Sequence, residues 1–127
     1  MKKIKRAIHL DFHTMPGIYD FGQDWDASEF AKTLKEANVS FISAFAMCNL
    51  GHCYYPTKIG IPYPGIKINL FGSLVEACHK EGIQVAGYVS TGLNHEQTRL
   101  HPEWSYVNAD GQIISGDRTG NFFRMPC

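Results

Sequence analysis

Strand-like and helix-like patterns alternate along this chain, the links from strand to helix are long, and the links from helix to strand are short. These three observations predict an α/β fold of parallel strands joined by right-handed crossovers. They predict it in the form of a partial (β/α)8 TIM barrel: roughly the first three βα units plus a β-hairpin insertion. At 127 residues the chain can bury one core, yet it has about half of the roughly 250 residues of a complete barrel. Residues 1–127 are therefore expected to be a single N-terminal fragment of such a domain.

The elements follow in order. Arg6–Phe12 mixes apolar and polar residues and suits a first strand, and Gly17 and Asp20-Phe21-Gly22 punctuate the loop after it. Asp26 is placed to accept from the free amides of a helix start, with Glu29 completing a capping-box-like pair. Phe30, Leu34 and Ala37 give that helix one buried face, and Asn38 is a plausible left-handed stop. Phe41–Met47 is apolar nearly throughout, as a strand covered on both faces should be. A loop is expected over Cys48–Lys67, rich in Gly, Pro and Tyr; loops of this length usually carry function. Asn69 caps a second helix whose Phe71, Leu74, Val75 and Cys78 form a core stripe. Gly82 ends it and Gln84–Thr91 is the third strand. Beyond Asn94 the pattern is less regular, with Tyr106–Asn108 and Gln112–Ser115 flanking an Ala109-Asp110-Gly111 hairpin turn.

Composition excludes several classes. Twelve basic residues balance twelve acidic ones, so no basic stripe argues for nucleic acid or an anionic membrane. The one basic cluster, Lys2, Lys3, Lys5 and Arg6, reads as a solvated terminus. No apolar run approaches the ~18 residues of a membrane helix. His9, Asp11 and His13 interrupt any signal-peptide core. Cys48, Cys53, Cys78 and Cys127 match no zinc spacing. They are expected to be reduced thiols in a cytoplasmic protein.

His9, Asp11 and His13 alternate, so a strand would project all three to one face. They could ligate a metal, contact a sugar through His13, or form a polar interior layer. Gly51–Lys58 follows the second strand and offers His52, Tyr54, Tyr55 and Lys58: aromatic faces for a sugar's C–H face, a hydroxyl and an ammonium for its oxygens. One of the two tyrosines is expected only to pack the loop. Tyr88 and Ser90 share a face at the third strand's end, with Asn94, His95 and Glu96 close behind. Glu96 as a general acid would need its pKa raised. His101-Pro102-Glu103-Trp104 adds an aromatic platform or a core anchor. Glycoside hydrolysis needs two carboxyls roughly 5 to 9.5 Å apart, and no convincing pair is visible, with Asp11 inside a strand and Glu96 on a loop.

Five segments in this order carry a family resemblance: Ile8–His13, Gly51–Lys58, Val75–Ile83, Tyr88-Val89-Ser90 and His101–Trp104. Together they resemble the N-terminal part of hypothetical glycosyl-hydrolase-like family 6, a (β/α)8 group related to the α-L-fucosidases. The resemblance covers nearly the whole chain and implies a retaining glycosidase barrel. It implies a sugar-contacting His13, which is similar in place to a histidine ending the fucosidases' first strand. Gly51, Pro56, Thr57 and Lys58 fit the family's second-strand loop, while Cys48 and Asn49 stand where that loop has paired histidines. The fucosidase nucleophile ends the fourth strand, which this chain does not reach, so the resemblance implies that these residues do not hydrolyse a glycoside alone.

The expected function is thus that of a glycoside hydrolase-like protein whose substrate contacts are His13, His52, Tyr55, Lys58, Tyr88 and Trp104, with no catalytic residue assigned. No cofactor is called for. A metal-dependent hydrolase using His9, Asp11 and His13 is one alternative, and a non-catalytic carbohydrate-binding module is another. Expected partners are a carbohydrate and either a second copy or the remainder of the barrel, since outer strands leave backbone groups unpaired.

Overall fold

The computed structural model describes residues 4–15 and 17–114. Lys2, Lys3, Ser115, Cys127 and the closing Phe122–Cys127 stretch lie outside the described residues. The architecture is a mixed sheet with two long helices against one face. Strand β1 is Ala7–Leu10, helix α1 Ala27–Glu36, strand β2 Phe41–Met47, and the two-residue strands β3 and β4 are His52–Cys53 and Ile61–Pro62. Helix α2 is Leu70–Lys80, strand β5 Gln84–Val89 and helix α3 His95–Leu100, followed by a 3₁₀ turn at Pro102–Trp104.

Strand β2 lies centrally, parallel to β1 on one side and to β5 on the other. Its end at Met47 also pairs antiparallel with β3, which pairs parallel with β4. The expected unbroken 48–67 loop is therefore corrected: it carries two short strands, too brief to leave a period in the sequence. The region after Asn94 is corrected likewise, since it holds α3 and the 3₁₀ turn. The hairpin forms around Gly111, with Val107 bridging Ile113 and Ile114 N–H donating to Tyr106 C=O.

Local signals explain the helix ends. Asp26 Oδ1 accepts from Ser28 and Glu29 N–H at 2.9 Å each, and Asn69 Oδ1 accepts from Gly72 N–H at 2.9 Å. Asn38 takes φ +56, the left-handed stop its side chain favours. Ala31 and Leu34 of α1, Leu74 and Cys78 of α2, and Ile42, Ala44, Val39 and Ile83 form one buried core. Ile8, Leu10 and Val85 pack on it, so the alternate residues of all three parallel strands face the helices. Side chains of the intervening positions, His9, Ser43 and Tyr88 among them, point to the other face, which the described residues leave uncovered.

A second core, Phe45, Cys48, Leu50, Tyr54, Tyr63 and Leu70, fills the space at the strands' C-terminal ends. Tyr54 and Tyr63 are buried here, yet their hydroxyls are satisfied by the β1–α1 loop. Tyr63 OH donates to Met15 C=O at 2.6 Å; Tyr54 OH accepts from Thr14 N–H at 3.3 Å and lies 3.4 Å from Phe12 C=O. No helix among the described residues is long and apolar enough to cross a membrane.

Candidate functional site at the strand ends

The C-terminal ends of β1, β2 and β5 converge on the uncovered face. Phe45 is the hub. The rings of His13, His9, Phe12 and Tyr88 surround it, with centroids at 4.9, 5.7, 5.5 and 4.4 Å, and Tyr88 lies nearly parallel to it. Phe45 and Tyr88 are direct parallel-strand partners, which is why two aromatic rings one strand apart can stack. The packing leaves Phe45 buried and Tyr88 38% exposed, so Tyr88 offers a supported aromatic surface.

Beside this stack stands a polar triplet. Asp11 falls just past the end of β1 rather than within it, a correction that places its carboxylate at the site. His13 Nε2 lies 2.7 Å from Asp11 Oδ1, and His13 Nδ1 lies 2.7 Å from Asn49 Oδ1. Asn49 is held by the turn after β2: Gly51 N–H donates to Cys48 C=O, and the carbonyls of Asn49 and Leu50 accept from His95 and Glu96 N–H. That turn needs glycine at 51, where φ is +93 and an added Cβ would overlap the Asn94 side chain.

The predicted residues divide. His13 and Tyr88 come together around Phe45. His9 joins the aromatic stack, 5.9 Å from Tyr88, and does not join Asp11 and His13. Among the described residues no group of three His, Cys, Asp or Glu is placed to hold a metal ion, which overturns the three-ligand reading of His9, Asp11 and His13.

His52 is corrected most clearly. It is 3% exposed, edge-on to Tyr63, with a buried Nδ1 that has no hydrogen-bond partner. Burial pushes its pKa below the usual histidine value; Glu96 opposes this, while His95 and Arg99 reinforce it. It is a core residue, closed to a sugar. Tyr55 is half-buried, 6.3 Å from Phe71, in a cleft of about 250 Å³ with Ala46, Asn69 and Gly72. Phe71 packs over Gly87 on the helix side of the sheet, so Tyr55 stands across the sheet from His13 and Tyr88. Burial and the Cys53 sulfur raise its phenol pKa. Lys58 is exposed on a turn where Thr57 Oγ1 accepts from Gly60 N–H. Trp104 stacks on His101 at 4.0 Å, away from the Phe45 stack. Glu96 receives Arg99 through two N–H groups at 2.9 and 3.1 Å; it is an ion-paired helix residue. Ser90 is buried, its hydroxyl donating to Leu93 C=O.

Two site residues were given no role by the sequence reading. Asn49, noted only as standing where the family's loop has a histidine, is a polar residue two places past a nearly all-apolar strand, where strand-end sites form. Phe45 looked like ordinary core, and its role depends on a strand pairing that no local signal reveals.

Polar and aromatic side chains gathered at the C-terminal ends of parallel strands are the usual layout of a ligand site in an α/β fold. The chain belongs to the family described as hypothetical glycosyl hydrolase 6, whose model matches residues 26–125. Solved structures agree. Alpha-L-fucosidase isoenzyme 2 from Paenibacillus thiaminolyticus is 27% identical with a TM-score of 0.85, over 96% of this chain and 19% of that one. The Thermotoga maritima alpha-L-fucosynthase is 26% identical with a TM-score of 0.55, over 59% of this chain and 18% of the other. The Thermotoga maritima alpha-fucosidase, at 22% identity and a TM-score of 0.57 over 81% of this chain and 22% of that one, shares the fold. The chain thus spans about a fifth of the length of the fucosidases it matches. No curated protein matches it.

Proposed function

We propose that this chain forms the sugar-contacting first segment of a glycoside hydrolase barrel of the α-L-fucosidase kind: three βα units and a hairpin, residues 1–127 acting as one N-terminal piece. One observation carries the reading. In a chain similar to a fucosidase over nearly its full length, Asp11, His13 and Asn49 form one hydrogen-bonded triplet, and His13 and Tyr88 both pack on Phe45 at the ends of the parallel strands. The substrate contacts are these residues rather than His52 or Tyr55.

The segment binds sugar without hydrolysing it. Hydrolysis needs two carboxyls flanking one bond, while Asp11 is engaged by His13 and Glu96 by Arg99. The uncovered sheet face and the outer edge of β5 support pairing with the remaining barrel or a second copy. The free, buried thiols of Cys48, Cys53 and Cys78 suit a reducing, cytoplasmic setting.

Saturation-transfer NMR of the full chain with methyl α-L-fucopyranoside tests the first claim, with light scattering on the same sample for its assembly state. Sugar protons should receive saturation from aromatic side chains, and Tyr88→Ala should abolish this. Absence of transfer from the wild-type chain refutes sugar binding. Release of 4-nitrophenol from its α-L-fucoside, lost in Asp11→Asn, would refute binding without turnover.

A further inference from the structure

We propose that His52 is an acid-sensitive latch for α3: its neutral ring lets α3 lie against the turn between β2 and β3, and its protonation releases α3 while the helix-side core stays folded. The latch needs no bound sugar. His52 is 3% exposed, and among the described residues its buried Nδ1 has no hydrogen-bond partner. A protonated imidazole carries an N–H on both nitrogens. Whichever nitrogen holds the proton in the neutral ring, charging therefore makes Nδ1 a buried cationic donor without an acceptor, which is costly. The charged neighbours come from α3. The Glu96 carboxylate favours the His52 cation, while His95 and Arg99 oppose it. That carboxylate is already engaged by two N–H groups of Arg99 at 2.9 and 3.1 Å, with His95 Nε2 at 4.0 Å. His95 has a buried Nδ1 without a partner of its own. From the other elements, Tyr63 meets His52 with its ring edge and turns its hydroxyl to Met15 C=O, and Cys48 N–H donates to the His52 carbonyl. A proton on His52 thus adds a cation beside a carboxylate that Arg99 already neutralises.

Helix α3 is the part that yields. A helix of six residues is too short to persist unaided. It is joined to the turn by His95 N–H on Asn49 C=O at 3.3 Å and Glu96 N–H on Leu50 C=O at 3.0 Å. The core formed by α1, α2 and the sheet contains no histidine among its described members, so acid gives it no comparable cause to open. Release of α3 carries Glu96, His95 and Arg99 away and lets water reach the His52 ring, which then takes a proton freely. The open form binds a proton that the closed form resists. Opening is therefore favoured as pH falls below 6.5, the ordinary value from which burial lowers that of His52.

Hydrogen-exchange NMR of the full chain tests this, with amide protection factors corrected for intrinsic exchange and followed from about pH 7.5 to about pH 5. The amides of His95, Glu96 and Thr98, bonded to the carbonyls of Asn49, Leu50 and Asn94, report on α3. Their protection should fall by up to about tenfold for each pH unit below 6.5, the slope of one proton taken up on opening. The amides of Val39 and Ile83, bonded to the carbonyls of Leu34 and Cys78, report on the core and should keep theirs. His52→Phe retains a ring beside Tyr63 and takes no proton, so its α3 amides should stay protected across the range; His52→Gln serves if that variant fails to fold. Steady α3 protection in the wild type overturns the proposal. Equal loss at Val39 and Ile83 overturns it too, because the whole chain is then unfolding. Neither of these results needs a variant to fold. An acid loss at α3 that persists in His52→Phe or His52→Gln assigns the latch to another group and overturns the role of His52.

Discussion

Replacing Gly51 by alanine is the sharpest single perturbation of this fold. Gly51 sits at φ +93, where a side-chain-bearing residue costs about 1–2 kcal/mol. Its new Cβ would also overlap Asn94 Oδ1 and press on Glu96 Cβ at 3.2 Å. Asn94 cannot yield freely, because that oxygen caps α3 by accepting from Gln97 N–H at 3.2 Å. Losing such a cap costs about 1 kcal/mol. Together these effects should destabilise the chain by about 2–3 kcal/mol, a drop of roughly 1–2 M in the urea midpoint at ordinary slopes. Gly111→Ala is the control. It shares a positive φ, at +77, but its Cβ meets nothing within 4 Å, so it should show only the backbone cost. Urea unfolding followed by circular dichroism measures both. If Gly51→Ala costs no more than Gly111→Ala, the close approach between the β2 turn and α3 does not constrain position 51, and the account of how Asn49 is held fails with it.

Stability should also fall at both ends of the pH scale. Burial pushes the Tyr54 phenol up to about 12, above its ordinary value of 10. The folded state therefore holds a proton that the unfolded chain releases, so this stabilisation is full below pH 10 and lost as pH rises toward 12. Tyr54→Phe should flatten the alkaline limb of a urea-midpoint profile, and an unchanged limb would reject the assignment. For His52 the shift is downward from 6.5, chiefly by burial. The unfolded chain then binds the proton more readily, and stability present above pH 6.5 declines as pH falls below it. His52→Gln should remove that acid slope, and its persistence would assign the slope to another group.

Much of the scaffold was legible because it depends on local rules. The nearly all-apolar run of Phe41–Met47 marked β2 with its observed bounds, and Asp26 and Asn69 announced α1 and α2 as their N-cap acceptors. Asn38 and Gly82, each at positive φ, closed those helices. Strands β3 and β4 were illegible because two residues cannot display a period of two. Helix α3, His95–Leu100, is polar and held largely by backbone bonds to the β2 turn, so it lacks an apolar stripe. At the site, strand alternation brought His13 into view and the end of β5 brought Tyr88. The side to which His52 and Tyr55 turn was illegible because an aromatic in a long loop can turn to either side of a sheet. Only the packing of Tyr63 and Phe71 decides which.

The hydroxyls of Tyr54 and Tyr63 meet the β1–α1 loop at backbone groups of Phe12, Thr14, Met15 and Ile18. Every amino acid supplies a carbonyl, so at Met15 and Ile18 these anchors are blind to which side chain the loop carries. Substitutions at exposed loop positions such as Met15, Ile18 and Tyr19 can accumulate without releasing the loop's path. The part of the chain leading out from Asp11 and His13 is thereby free to be rewritten for a different ligand, while two tyrosines fifty residues along the chain, to within about ten, keep its course.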